Sequence, residues 1–484
     1  MSLVHFDVAV IGSELCALAA GAMLAHDHKK VVVIDDGETD ESPLGEHLVP
    51  RAPTLWRLPT TGPAAELIEK LGLKQDARRV LGSPCGIAIV DDPDARLVIE
   101  PEKLRRQAEF ERVFGSIGRQ SSVALDEIRP EARDGLLIEA TFLHEDGFFA
   151  RRRTAKRRSD GGPALDPQST DDAVRTLLAS PLGPALPSVV AFVQHGAQRE
   201  PGGVEGFLAA WLLHGGTVAH PSEGTSLRGA LARRFIHTIE GHGGDVLRGV
   251  RVRTIDGDAR RVTVVRTDDR NDYAVRAVID GTEARSLTDR LPAGKGQRDT
   301  IEFQASAKRT GGAAIVRWLV DRSAIPRGLS SRTIVLPDAH AQLAPMVVAA
   351  YEGLPALDGR LPKVPSRIVA IVAAVKTTND DATSETALRI EERLTSLMPF
   401  VEPHIVARDR LLGDSAWCAL PSYLATGDAN ELGGCRPMTG FKNLARAGRD
   451  LAPRLGLEGE IAAAPAVAAL VDEALGKKRL GAES

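Results

Sequence analysis

The 484-residue sequence is poor in the residues that announce several common chemistries. It has four cysteines, Cys16, Cys85, Cys418 and Cys435, and none stands in a CxxC spacing. Neither a disulfide framework nor a zinc site is therefore expected. No HExxH or GxSxG segment occurs, which removes the usual signatures of zinc hydrolysis and of a serine nucleophile. His26 and His28 flank Asp27 at a solvated helix end, and His237 and His242 lack metal-ligand spacing, so no metal site is expected. Neither sign of charge dominates: the net charge is −4, and nothing global points to nucleic acid. No apolar run reaches the ~18 residues that a membrane span needs. The first residues enter a strand without a charged-then-apolar leader, so a cytoplasmic location is the expectation. Aromatic residues make up only 4% of the chain, which reads as composition bias rather than function.

What is present suffices for a large folded protein. A hydrophobic content of 43% supports burial, and the length predicts two domains rather than one core. Phe6 to Ile11 is an apolar run suited to a buried parallel strand. Gly12 ends it, Leu15 to His26 has helical density, and Val31 to Ile34 closes on Asp35. Strand, glycine turn, helix and strand form one βαβ unit. In such units the helix N-terminus points free N–H groups at a pyrophosphate. An acid ending the second strand accepts from a ribose hydroxyl. Gly12 and Asp35 stand at about the ~20-residue spacing this requires.

The GxGxxG fingerprint would occupy positions 12, 14 and 17, where the sequence has Gly12, Glu14 and Ala17. Ser13 and Cys16 fill the intervening turn and helix start, and Cys16 reads as a small buried residue. Alanine at the third place is tolerated. Glu14 either obstructs and repels a pyrophosphate or rotates into solvent; two like charges ~4 Å apart cost ~4 kcal/mol at an effective dielectric of 20. An acidic loop follows, with Asp35, Asp36, Glu38, Asp40, Glu41 and Glu46.

Further along, helices are expected at Ala64 to Leu73 and Glu102 to Phe114, and a strand pair at Ile87 to Val90 and Arg96 to Ile99. Ala150 to Arg158 (ARRRTAKRR) is a dense basic tract inside a flexible loop expected over 150–172. It is either a solvated linker or a surface for an anionic membrane or a partner. Ser226 to Glu240 is an amphipathic helix with Ser226 as its cap and Gly241 at its end. Val250 to Ile255 and Val262 to Val265 alternate as a hairpin around Asp256-Gly257. Ala274 to Ile279, Ala313 to Val320 and Ile368 to Val375 read as strands, and Ser384 to Leu397 as a helix. An alanine-rich helix after Gly459 is expected to kink or restart at Pro465.

Three blocks in this order resemble the phytoene desaturase and amine oxidase superfamily of flavoproteins. They are VIGSELCALAAGAMLAHDHKKVVVID, GTSLRGALARRFIHTIEGHGGDVLRGVRVRTI and NLARAGRDLAPRLGLEGEIAAA. The resemblance implies an α/β fold: a Rossmann-like FAD-binding domain of glutathione-reductase type with an inserted α+β substrate domain. The FAD-binding domain would comprise 1–60, 205–295 and 411–484, and the substrate or partner domain 61–204 and 296–410. It also implies that Gly12, Ser13, Glu14, Ala17 and Asp35 face the ADP half of FAD, with the Val252 backbone on adenine. Gly448 and Asp450 would lie at the ribityl chain, and amides at Leu457, Glu458 and Gly459 at the flavin ring. Two departures stand out: Glu14 itself, and the absence of a Gly-Gly pair after Asp35, where Gly37 and Gly45 stand singly.

Two functions follow. One is an FAD-dependent oxidoreductase passing a hydride from a lipophilic or amine substrate to flavin, cytoplasmic or peripheral to a membrane. For this no catalytic side chain can be named. The other is a cofactor-free binding protein or complex subunit, since Rab GDP-dissociation inhibitors resemble the same superfamily. Its partners would be a lipophilic molecule, a membrane surface or a protein, and not nucleic acid.

Overall fold

The computed structural model describes residues 4–35, 40–57, 63–92, 95–126, 175–196, 203–218, 226–282, 287–305, 307–337, 343–361, 367–377, 384–426 and 434–476. The basic tract and the loop expected over 150–172 lie outside these residues.

The first strand, β1 (Val4–Ile11), is apolar and buried from Val8 onward, so it takes neighbours on both sides. Helix α1 (Leu15–His26) and strand β2 (Val31–Asp35) complete the βαβ unit. The capped helix forms as α2 (Leu227–Gly241), where the Ser226 side chain accepts from Gly229 N at 2.9 Å. It is followed by β3 (Asp245–Arg248), β4 (Val252–Gly257), β5 (Val262–Thr267) and β6 (Asp272–Asp280). Near the end come β7 (Leu444–Arg446) and α3 (Gly456–Gly476).

These strands form one seven-stranded sheet in the order β4-β5-β6-β1-β2-β3, with β7 beside β6. The β6-β1-β2-β3 and β6-β7 pairings are parallel, and β4-β5-β6 is antiparallel. Helix α1 is buried from Leu15 to Ala25, Cys16 included, which its run of small apolar residues allows. It packs between α2 and α3.

Three local expectations need correction. The hairpin turns at residues 258–261 instead of Asp256-Gly257: Asp258 Oδ1 accepts from Arg260 N and Arg261 N, each at 2.7 Å. That aspartate supplies the turn chemistry and leaves Asp256 and Gly257 in the strand. The helix expected over 64–73 is shorter, Pro63–Lys70, and a second, Lys74–Leu81, follows it. Helix α3 runs through Pro465 without restarting. Its burial on nearly all sides outweighs the loss of one backbone hydrogen bond.

A second seven-stranded sheet runs Ile405–Leu411, Gly312–Asp321, Ile368–Thr377, Met346–Tyr351, Arg332–Val335, Ile87–Asp92, Ala95–Ile99. The Ser384–Leu397 helix covers one face through Ala387, Ile390 and Leu394. The acidic stretch is partly ordered as a hairpin, Glu41–Leu44 against His47–Pro50. Buried Arg317 fastens it to the second sheet, donating to Ser42 Oγ at 2.7 Å and Val49 O at 3.2 Å while pairing with Asp409. Among the described residues, no helix is long and apolar enough to cross a membrane.

Candidate functional site

The site opens at the carboxyl ends of β1 and β2. Gly12 turns the chain at φ +91°, and its N–H donates to Ile34 O at 2.9 Å. A Cβ there would lie 2.3 Å from Gly281 O, so glycine is required for both conformation and space. Ala17 takes the packing role of the third fingerprint position. A Cβ on Gly281, just past the end of β6, would stand 2.3 Å from the Ala17 Cβ, so helix and strand meet closely here.

Glu14, the N-cap residue of α1, neither blocks an open phosphate site nor points to solvent. It is 9% exposed and lies between two arginines. Its Oε2 accepts from Arg228 Nη2 at 3.0 Å and Arg449 Nε at 3.2 Å. Arg228, on α2, also holds Asp40 through Nε at 3.0 Å and grips both oxygens of Glu460 with Nη1. Arg449 reaches Asp40 Oδ1 at 3.4 Å and Cys418 O at 2.7 Å. His195 Nε2 contacts Glu460 Oε1 at 2.8 Å. Five segments far apart in sequence are thus joined by one buried ionic cluster.

Electrostatics follow from that packing. Burial lowers the His195 imidazole to about 4, so at neutral pH it carries no charge. Three carboxylates, Glu14, Asp40 and Glu460, then face two guanidinium groups. Burial raises Glu460, but Arg228, His195 and Arg449 outweigh it and hold the carboxyl at about 2. Glu14 goes the other way: burial raises it above the ordinary carboxylate value, against the pull of Arg449 and Arg228.

The residues expected at the flavin end are turned elsewhere. Asp450 accepts from Arg446 Nε at 2.7 Å, and the Cys435 thiol lies 3.4 Å away. The start of α3 is sealed by protein. His195 N donates to Pro453 O at 2.7 Å, and a Cβ on Gly456 would meet Val193 O at 2.0 Å. Leu457, Glu458 and Gly459 are buried. Glu458 accepts from Trp56 Nε1 and Ala64 N, each at 3.2 Å, and burial pushes its carboxyl up to about 7. Beside Glu14, Gly448, Arg449 and Asp450 there is a void of about 10 Å³, room for about one water. These residues do not fit a flavin ring and ribityl chain.

The other half is open. A cleft of about 560 Å³ is lined by Gly12, Ser13, Glu14 and Asp35 of the first motif. Seven arginines line it against four carboxylates: Arg51, Arg228, Arg233, Arg248, Arg251, Arg290 and Arg449 against Glu14, Asp35, Asp40 and Glu41. The acids of that loop alone would repel a phosphate, and the arginines reverse the balance. Val252 is buried in the sheet, and the adjacent Arg251 lines the cleft. Of the expected residues, Gly12, Ser13, Glu14 and Asp35 meet in the cleft. Ala17 packs beneath it, and Gly448, Asp450 and Leu457 to Gly459 do not reach it. Sequence reasoning missed Arg228, Arg449, Glu460 and His195, and saw Asp40 only as one of the loop's acids. The available signal was an arginine inside the tail motif, between Gly448 and Asp450, opposite in charge to the intruding Glu14.

No family model matches the sequence, and neither does any curated protein. Solved structures do match in fold. An oxidoreductase from Methanosarcina mazei aligns with a TM-score of 0.59 at 12% identity, over 95% of this chain and 99% of its own. Rab GDI from Plasmodium falciparum gives 0.51 at 11% identity, covering 98% of both chains. Cyclohexylamine oxidase from Brevibacterium oxydans gives 0.50 at 12% identity, over 97% of this chain and 99% of its own. The chain therefore has the fold that amine oxidase-like flavoproteins and Rab GDP-dissociation inhibitors share.

Proposed function

We propose that this chain is an anion-binding protein on an oxidoreductase fold and works without flavin. One observation carries the reading: among the described residues, those expected at the flavin are engaged by the chain itself, Asp450 by Arg446 and the start of α3 by residues 193–195. Glu14 stands among the arginines as a built-in anion, and the start of α3 is closed by residues 193–195. The open, arginine-rich half supports a bound anion over the lipophilic ligand expected from the resemblance. Sheet membership supports the discontinuous division expected from the sequence, because β1 to β7 all fall within 1–60, 205–295 and 411–484.

The competing reading is an FAD-dependent oxidoreductase acting on a lipophilic or amine substrate. The fold it shares with cyclohexylamine oxidase favours it. Fold does not fix function, so the site decides. The test is a visible spectrum of the purified protein before and after incubation with FAD and gel filtration. A colourless protein that retains no flavin supports the proposal. Flavin bands that survive the column overturn it.

A further inference from the structure

Asp35 ends β2, the position from which an acid meets a ribose hydroxyl in a dinucleotide fold. Its strand neighbour here is unusual. In the parallel β2–β3 register Asp35 pairs with Arg248, and Val250 N donates to Asp35 O at 3.1 Å. The chain therefore carries Arg248 and then Arg251 past the ribose acid. Both line the cleft, as does Arg290. Arg248 pairs with Glu240 at 3.1 Å on the exposed side. The guanidinium groups of Arg251 and Arg290 have no hydrogen-bond or ion-pair partner among the described residues. They are cations on a cavity wall, beside the acid that ends β2.

We infer that the cleft binds a nucleotide that carries a phosphate on its ribose as well as on its 5′ carbon. Three features select that class. The cleft lies outside the carboxyl ends of β1 and β2, where the order turns from β2 on one side of β1 to β6 on the other. Gly12 and Ser13, at the approach to the α1 N-terminus, open onto it, which suits a 5′-phosphate. An arginine next to the ribose acid accommodates a ribose phosphate, a group that an acid alone repels. Asp35, Asp40 and Glu41 on the same walls disfavour a bare polyphosphate.

The inference rests on the reading that the cleft serves a ligand other than FAD. The experiment is titration calorimetry of the full chain at low salt with 5′-ADP, 2′,5′-ADP, 3′,5′-ADP and inorganic tripolyphosphate. One of the two ribose-phosphorylated compounds is expected to bind at least about tenfold tighter than 5′-ADP, the scale of one charge-assisted hydrogen bond. Which of the two does so identifies the 2′ or 3′ source. Arg251→Ala, at an exposed position, is expected to bring the affinities for the ribose-phosphorylated compound and 5′-ADP to within about twofold of each other. Equal affinities, no binding by any nucleotide, or tripolyphosphate binding as tightly would overturn the inference. FAD in a parallel titration separates the two claims: flavin retention sinks the flavin-free reading, whereas the ADP comparison alone decides the ribose phosphate.

Discussion

Arg228→Met is the sharpest perturbation of the site. Methionine keeps an unbranched apolar stem and removes the charge that touches Glu14, Asp40 and Glu460. Two buried acids and the half-buried Asp40 would then share Arg449. Breaking a buried pair while leaving its partner charged costs about 3–5 kcal/mol. The urea midpoint at pH 7 should fall by the equivalent of about 4 kcal/mol. The pH dependence should also change sign. In the parent, Glu460 is held at about 2, below its unfolded 4.5, so its contribution is present above pH 4.5 and is lost as pH falls toward 2. In the variant its main counter-charge is gone and burial prevails, so its folded value rises above 4.5. The deficit should then shrink as pH falls from 7 to 5. Adding Glu460→Gln should recover about 2 kcal/mol, because the orphaned charge goes with it. A single variant within 1 kcal/mol of the parent, or costs that simply add in the double variant, would refute the cluster as an interdependent unit.

Other outcomes follow from the same structure. Glu458 has a folded value of about 7 against 4.5 unfolded, so its ionisation opposes folding and stability is lost as pH rises from 4.5 to 7. Glu458→Gln should remove about 3 kcal/mol of that slope and melt higher than the parent at pH 8, as thermal scans from pH 5 to 8 would show. Gly12→Ala should cost about 3 kcal/mol through its positive φ and the 2.3 Å approach to Gly281 O, read as a lowered melting temperature. Arg317→Ala should cost about 3–5 kcal/mol and expose the 41–50 hairpin to limited proteolysis, because Ser42 and Val49 lose their buried donor. Glu14→Gly restores the fingerprint glycine, yet flavin uptake should stay absent in the spectrum, because the closed start of α3 remains.

The first βαβ unit, the capped α2 helix and the long strands were legible because one-dimensional periodicity decides them. The turn at Asp258 was not, since Asp256-Gly257 and Asp258 offer the same local chemistry. Only the register, with Gly257 opposite Val262, separates them. The site shows the same limit more sharply. Glu14 could be read as a departure, but its meaning depended on Arg449, 435 positions later, and on Arg228, whose place on an amphipathic helix looked ordinary. A single motif position tells whether a ligand's usual contact is missing. Whether that loss leaves a vacancy or a replacement depends on the charges that fold toward it. Here two arginines converge on the intruding carboxylate and Glu460 completes their pairing, so Glu14 is part of a built interior rather than damage to a cofactor site. The same reasoning points to Arg251 and Arg290, which pair with no carboxylate among the described residues, as the charges in this cleft that an added anion would meet.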